Sequence, residues 1–172
     1  MSDKCKVLFL CRANSARSIM AESLLRQLAP NRFDAFSAGV EPAAQVHPLT
    51  IAQLSSTIAD LEALQPKSWH RFAGEDAPHM DVIVALCDEA DEAYAPNFPG
   101  SPVFCRWTFE DPLAEYVSED AQKQMFERVF RQILRRISVF IALPLQSMNV
   151  NEQMLAVNGS FEAGPSGVGS AP

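Results

Sequence analysis

The stretch Cys11-Arg12-Ala13-Asn14-Ser15-Ala16-Arg17-Ser18 carries the side chains of this sequence best suited to chemistry. A cysteine is followed, after five residues, by an arginine and then a serine, where a short apolar run gives way to helical spacing. Five residues are enough to wrap a loop whose backbone N–H groups converge on a tetrahedral oxyanion. A helix beginning near Arg17 adds its positive N-terminal end to the same point. In such a field a cysteine reacts as its thiolate, so Cys11 is the candidate nucleophile. Arg17 has the planar fork that holds two oxygens and neutralises charge in a transition state. Ser18 can donate a hydrogen bond to the thiolate. The loop Arg12, Ala13, Asn14, Ser15, Ala16 and Arg17 forms the candidate oxyanion cradle, with the Asn14 amide shaping the loop rather than touching substrate. A bare C-x5-R is more often a buried strand-end cysteine and a surface arginine. Here the strand before it, the helix after it and the local charge agree on a site.

The surrounding elements are legible from hydrophobic spacing. Lys6-Val-Leu-Phe-Leu-Cys11 is a continuous apolar run, the mark of a strand buried on both faces of a parallel sheet. Apolar residues at 20, 21, 24, 25 and 28 predict a helix, and Phe33 to Ala38 a second strand stopped by Gly39. A loop through Val46-His47-Pro48 leads into a helix over roughly 49–58, and Asp60 to His79 shows no clear period. Asp81-Val-Ile-Val-Ala-Leu-Cys87 repeats the first strand pattern, and 88–94 reads as a short acidic helix. Pro102 to Trp107 makes a fourth strand. Ser118 is a good N-cap for a long helix ending near Pro144, its apolar face at 125/126, 129/130, 133/134, 137 and 140/141. Arg128, Arg131, Arg135 and Arg136 are expected on its wet side. Strands alternating with helices argue for an α/β layer fold.

Composition bounds the function. The 172 residues are 48% hydrophobic and 20% charged, ordinary for one globular domain. With 14 Lys plus Arg against 21 Asp plus Glu, the net charge is −7, a poor balance for binding nucleic acid or anionic membrane. Yet residues 1–32 hold six basic groups (Lys4, Lys6, Arg12, Arg17, Arg26, Arg32) and only two acidic ones (Asp3, Glu22), which suits a small anion. The four cysteines, Cys5, Cys11, Cys87 and Cys105, form neither a disulfide framework nor a zinc-type pair. His47, His70 and His79 lack ligand spacing, so no metal is expected. The first apolar run is too short for a signal peptide, and no stretch is long enough to span a bilayer. A cytoplasmic, reducing environment follows. From residue 143 onward the chain has no Lys or Arg and four of the seven glycines, which reads as a partly disordered tail, 143–172, after a catalytic domain, 1–142.

The chain resembles the low-molecular-weight protein tyrosine phosphatase superfamily, which includes the thiol-dependent arsenate reductases. The resemblance lies in the Cys11–Ser18 loop with Ile19-Met20-Ala21-Glu22, then Ser37-Ala38-Gly39, Val46-His47-Pro48, Lys67-Ser68 and Asp111-Pro112, over about residues 5–142. It implies a three-layer αβα arrangement around a four-stranded parallel sheet, Cys11 as attacking thiolate and Arg17 as oxyanion binder. It further implies that Asp111, on a mobile loop, is the general acid.

Within that superfamily the sequence tilts towards arsenate reduction. Cys87 ends the third strand, which parallel topology places beside Cys11. Cys87-Asp88 and the spacing of Trp107 to Asp111-Pro112 resemble the reductase branch, and Leu113-Ala114 replaces aromatic residues common in the phosphatases. A reductase needs a second thiol to attack the Cys11–arsenic adduct. The third cysteine of the thioredoxin-coupled enzymes is replaced by Tyr94, so the expected reductant is an external thiol, glutathione with glutaredoxin or thioredoxin, with Cys87 as the candidate second thiol and Cys105 as the internal substitute for the third. Cys105 fits a core position better, and Cys5 is incidental. The alternatives are a phosphatase for phosphotyrosine or small aryl phosphates, and an inactive oxyanion-binding module.

Overall fold

The computed structural model of the protein describes residues 4–55, 63–145, 148–149, 151–153 and 155–158. Four strands, β1 (Cys5–Cys11), β2 (Phe33–Gly39), β3 (Val82–Ala85) and β4 (Val103–Arg106), alternate with helices α1 (Arg17–Leu28), α2 (Pro48–Leu54) and α3 (Glu119–Ala142). The sheet is parallel throughout, in the order β2-β1-β3-β4. β1 is therefore central, which is why Val7 to Leu10 are apolar without alternation and fully buried.

Strand parity divides the core into two layers. Phe9, Phe33 and Trp107 face α3, with Phe33 tilted against Phe140 at 5.3 Å and Trp107 meeting it edge-on at 5.6 Å. Phe36 points to the other side of the sheet and meets Phe72 at 5.8 Å. Phe72 belongs to a 3-10 turn, Trp69–Phe72, capped by Ser68 in the region without sequence period. The sheet thus lies between two outer layers, with α1 and α3 packed together on one of them.

The helix boundaries have local causes. His47 caps α2, its Nδ1 accepting from the Leu49 amide at 3.1 Å, with Pro48 at the first helical position. Positions 56–58 of the expected second helix lie outside the described residues. Ser118 caps α3 through the Ala121 amide at 3.0 Å, and Glu119 and Asp120 occupy its first turn.

Several expectations need correction. The 88–94 segment is two 3-10 turns, Asp88–Ala90 and Glu92–Tyr94, because Asp91 is extended and its carboxylate caps the second turn. Arg136 is not on the wet side of α3. It is buried, its guanidinium 4.9 Å from the Trp107 ring centroid and donating to the Val157 carbonyl at 3.0 Å. Leu28, expected on the buried face of α1, is exposed in the last turn. The expected tail, 143–172, includes a stretch, Met148 to Val157, able to dock as a short helix, and 151–153 and 155–158 are helical with Leu145 and Val157 in the core; the last ten residues lie outside the described residues.

Gly39 fixes how closely β2 approaches the loop after β1. A Cβ there would meet the Arg12 carbonyl oxygen at 2.8 Å and the Asn14 amide nitrogen at 2.9 Å. Both are backbone atoms and cannot swing aside. Gly39→Ala is expected to lower unfolding stability in urea by about 1–3 kcal/mol and to weaken phosphate binding. Unchanged stability would mean the loop has room that the structure does not give it.

Candidate active site

The loop between β1 and α1 is shaped by where its carbonyls go. Those of Cys11, Arg12, Ala13 and Ser15 accept from the amides of Val40, Glu41, Ala43 and His47 at 2.8–3.1 Å. Thr50 Oγ1 adds a second bond to the Ser15 carbonyl at 2.8 Å. In a planar trans peptide the next N–H points opposite the carbonyl, so the amides of Arg12, Ala13, Asn14 and Ala16 turn away from that segment. Asn14 makes the reversal with φ of 49°, in the left-handed region that asparagine tolerates. α1 then begins at Arg17 behind Ala16, with no side chain capping it. Its first amides are left for a ligand, in a helix end that is otherwise buried.

Polar side chains behind the loop form one chain of hydrogen bonds. Cys11 Sγ lies 2.8 Å from Ser18 Oγ, and Asn14 Nδ2 donates to Ser18 Oγ at 2.8 Å and to Ser37 Oγ at 2.9 Å. Ser37 Oγ donates onward to Glu22 Oε2 at 3.0 Å, and the Lys67 amide donates to Asn14 Oδ1 at 2.9 Å. The polarity of this chain has a consequence. Because Ser37 gives its proton to Glu22 and Asn14 is the donor to Ser18, the Ser18 proton is free to point at Cys11. Burial raises the Glu22 carboxyl above its ordinary range, against the opposing pull of Lys67, Arg26 and the Ser37 hydrogen bond. In the sequence Glu22 stood only as one of two acidic residues in 1–32 and as the end of the Ile19-Met20-Ala21-Glu22 stretch. Its role as the acceptor of the chain needed the fold.

Arg17 joins three parts of the site. Its buried guanidinium donates to the Leu86 carbonyl at 3.2 Å and the Phe109 carbonyl at 3.3 Å, and lies 3.6 Å from Asp111 Oδ1. The Asp111 turn is held further by the Leu113 amide on Oδ1 at 2.9 Å, Tyr116 Oη on the Asp111 carbonyl at 2.5 Å, and Gln122 Nε2 on the Pro112 carbonyl at 3.1 Å. Sequence reasoning missed Tyr116 and Gln122, whose types signal nothing until the turn is folded. The pocket these groups enclose is small, about 240 Å3, and lined by Cys11, Arg12, Ala13, Ala16, Arg17, Asp111 and Leu113. Neither Trp69 nor Trp107 lines it; both are buried in the core.

The structure places Cys87 next to this site but outside the lining of its pocket. Leu86 continues the β1–β3 ladder, its amide bonding the Leu10 carbonyl at 2.8 Å, and Cys87 follows directly, buried. Burial, then the charge on Cys11, pushes the Cys87 thiol up to about 11, although Arg17 opposes the shift. Glu89 beside it is held below the usual carboxylate range, first by its own backbone amide and further by the Cys87 thiol, Arg12 and Arg17. The other two cysteines stand apart. Cys105 is packed in the sheet, its thiol on the Ile83 carbonyl, and burial raises it to about 12. Cys5 sits at the opposite end of β1, also raised to about 12 by burial. All four are reduced thiols. Tyr94 is exposed on the second 3-10 turn.

With this geometry in place, comparison with known proteins is informative. The family model for low molecular weight phosphotyrosine protein phosphatases matches residues 6–153. The chain belongs to that family. A glutaredoxin arsenate reductase of Synechocystis is 30% identical over 137 residues, 80% of this chain and 96% of that protein. An arsenate reductase of Bacillus cereus is 31% identical over 140 residues, covering 81% and 96%. The solved structure of an arsenate reductase in the phosphate binding state has a TM-score of 0.60 at 29% identity, covering 80% of this chain and 97% of that one. Among the described residues of this phosphatase-family chain, no cluster of His, Cys, Asp or Glu could hold a metal ion, and no helix is long and apolar enough to cross a membrane.

Alkylation of Cys87, followed by peptide mass spectrometry against pH, is expected to show a midpoint near 11. Because the Cys11 charge raises that value, Cys11→Ser should move the midpoint down. An unmoved midpoint would place Cys87 outside the electrostatic reach of Cys11.

Proposed function

We propose that this protein is a thiol-dependent arsenate reductase. Arsenate sits against the amides of the 12–17 loop and the Arg17 guanidinium, and the Cys11 thiolate attacks arsenic. Ser18 stabilises the thiolate, and Asp111 protonates the departing oxygen, which leaves as water. Cys87 then gives up its proton and attacks Cys11 Sγ. The sulfur–arsenic electron pair stays on arsenic, reducing As(V) to As(III), and arsenite departs while the two thiols are oxidised to a Cys11–Cys87 disulfide. Exposed Tyr94 offers no third sulfur to move that disulfide to the surface. An external dithiol or glutathione, with glutaredoxin or thioredoxin as the protein partner, returns the enzyme to its reduced form, which suits a cytoplasmic setting. The observation that carries this reading is the placement of Cys87 just past the end of β3, directly after the Leu86 amide that bonds the Leu10 carbonyl beside Cys11.

A second reading, hydrolysis of small aryl phosphates, is favoured by the position of Asp111 in the lining of the same pocket as Cys11 and Arg17, where a carboxyl group can reach a leaving alcohol as well as water. The small pocket, walled by Leu113 rather than an aromatic ring, fits the inorganic anion better.

Wild type and Cys87→Ser separate the two. The reductase reading expects arsenate turnover, with glutathione and glutaredoxin or with thioredoxin, that is lost in Cys87→Ser while cleavage of p-nitrophenyl phosphate survives. Efficient ester cleavage with no arsenate reduction by any donor would favour the phosphatase. Asp111→Asn should slow ester cleavage by about a hundredfold or more, and an unchanged rate would remove Asp111 from proton transfer.

A further inference from the structure

We propose that the C-terminal turn, residues 155–158, is a positioning element of the site, gripping the end of β4 so that the Cys87 and Asp111 loops are held in register with Cys11. The inference rests on the reading that these two loops carry reacting groups. It concerns Val157 and Asn158, which lie beyond the residues matched by the family model, 6–153.

β4 is the edge of the sheet. The amides of Val103 and Trp107 bond to Asp81 and Ala85 of the neighbouring strand, so by alternation the Arg106 amide points outward from the edge. Asn158 meets it there, its Oδ1 3.4 Å from the Arg106 nitrogen. One residue earlier, the Val157 carbonyl accepts from Arg136 Nη2 at 3.0 Å, with the Val157 side chain fully buried. The same Arg136 guanidinium lies over the ring of Trp107. Asn158 therefore bonds the backbone of Arg106, the last residue of β4, and Val157 reaches Trp107, the residue after it, through Arg136.

Those two residues lead to the two loops. The Arg106 guanidinium pairs with Asp88 and, at 3.2 Å, with Asp91, spanning both 3-10 turns after Cys87. Trp107 is wedged between Phe9 and Phe140, and the chain leaving it reaches Phe109, whose carbonyl binds Arg17, and then Asp111. Exposed ion pairs such as those of Arg106 are weak by themselves. Their effect here depends on the backbone of residue 106 being fixed, and an uncovered edge strand end frays.

The test compares full-length wild type with Asn158→Ala and with Arg136→Met, which keeps an apolar stem over Trp107 and removes the donor to Val157. Amide exchange in peptides covering 87–94 and 107–116 is expected to accelerate by about tenfold or more. On phenyl phosphate kcat should fall severalfold with KM within about twofold, since the anion loop is untouched. 2,4-Dinitrophenyl phosphate, whose leaving group needs no acid, should be affected less. The proposal is overturned if both loops keep wild-type exchange while 155–158 opens, or if the two esters slow equally and KM rises in step with a fall in thermal midpoint. Should Arg136→Met fail to fold, Asn158→Ala decides. Wild type inert towards arsenate and esters would defeat the reading of the site, while exchange would still report on the grip.

Discussion

Every feature of this site depends on placing several amide dipoles and an arginine around one small space without leaving the other side of each peptide unsatisfied. A planar peptide carries its donor and acceptor in opposite directions, so amides that face a ligand oblige their carbonyls to find partners behind. The segment from Val40 to Thr50 supplies those partners, bond by bond, for Cys11, Arg12, Ala13 and Ser15. Gly39 lets that segment come close enough, and His47 ends it by starting α2. The anion loop is thus less a property of its own eight residues than of a second strand-to-helix connection laid against it.

Arg17 extends the same logic outward. A guanidinium has five donors, and only some can be offered to an anion. Here others are spent on the carbonyls of Leu86 and Phe109, the residues from which the Cys87 and Asp111 loops depart. In the proposed mechanism the group that binds the oxyanion thus also aligns the second thiol and the acid. A change at Arg17 would therefore disturb binding, proton transfer and thiol placement together, and its kinetic effect could not be divided among them.

Much of this was legible in the sequence, and the parts that were not share a cause. β1 and β3 announce themselves because central parallel strands are apolar without interruption, and the C-x5-R-S spacing sits where β1 hands over to α1. Ser118 and the long apolar face of α3 were equally plain. Arg136 was misassigned because helical spacing reports only its own helix; the turn that covers it comes from more than twenty residues later in sequence, and burial of the charge needed Trp107 and the Val157 carbonyl. The 88–94 segment had the composition of a helix but an Asp91 whose side chain caps a new turn instead of continuing the old one. Glu22 and Ser37 belong to a hydrogen-bond chain whose members come from different elements, so no local pattern reveals it.

The reductase reading turns on electrons passing between Cys11 at the end of β1 and Cys87 just past the end of the neighbouring β3. Burial and the charge of Cys11 keep Cys87 protonated at rest, which suits a resolving thiol that should stay idle until arsenic has reacted. The most direct measurement is a single turnover of fully reduced protein with arsenate and no external thiol, followed by non-reducing peptide mapping. The account predicts one arsenite released per chain and a disulfide joining Cys11 to Cys87. Release of arsenite only after glutathione is added, with Cys87 still free, would contradict it.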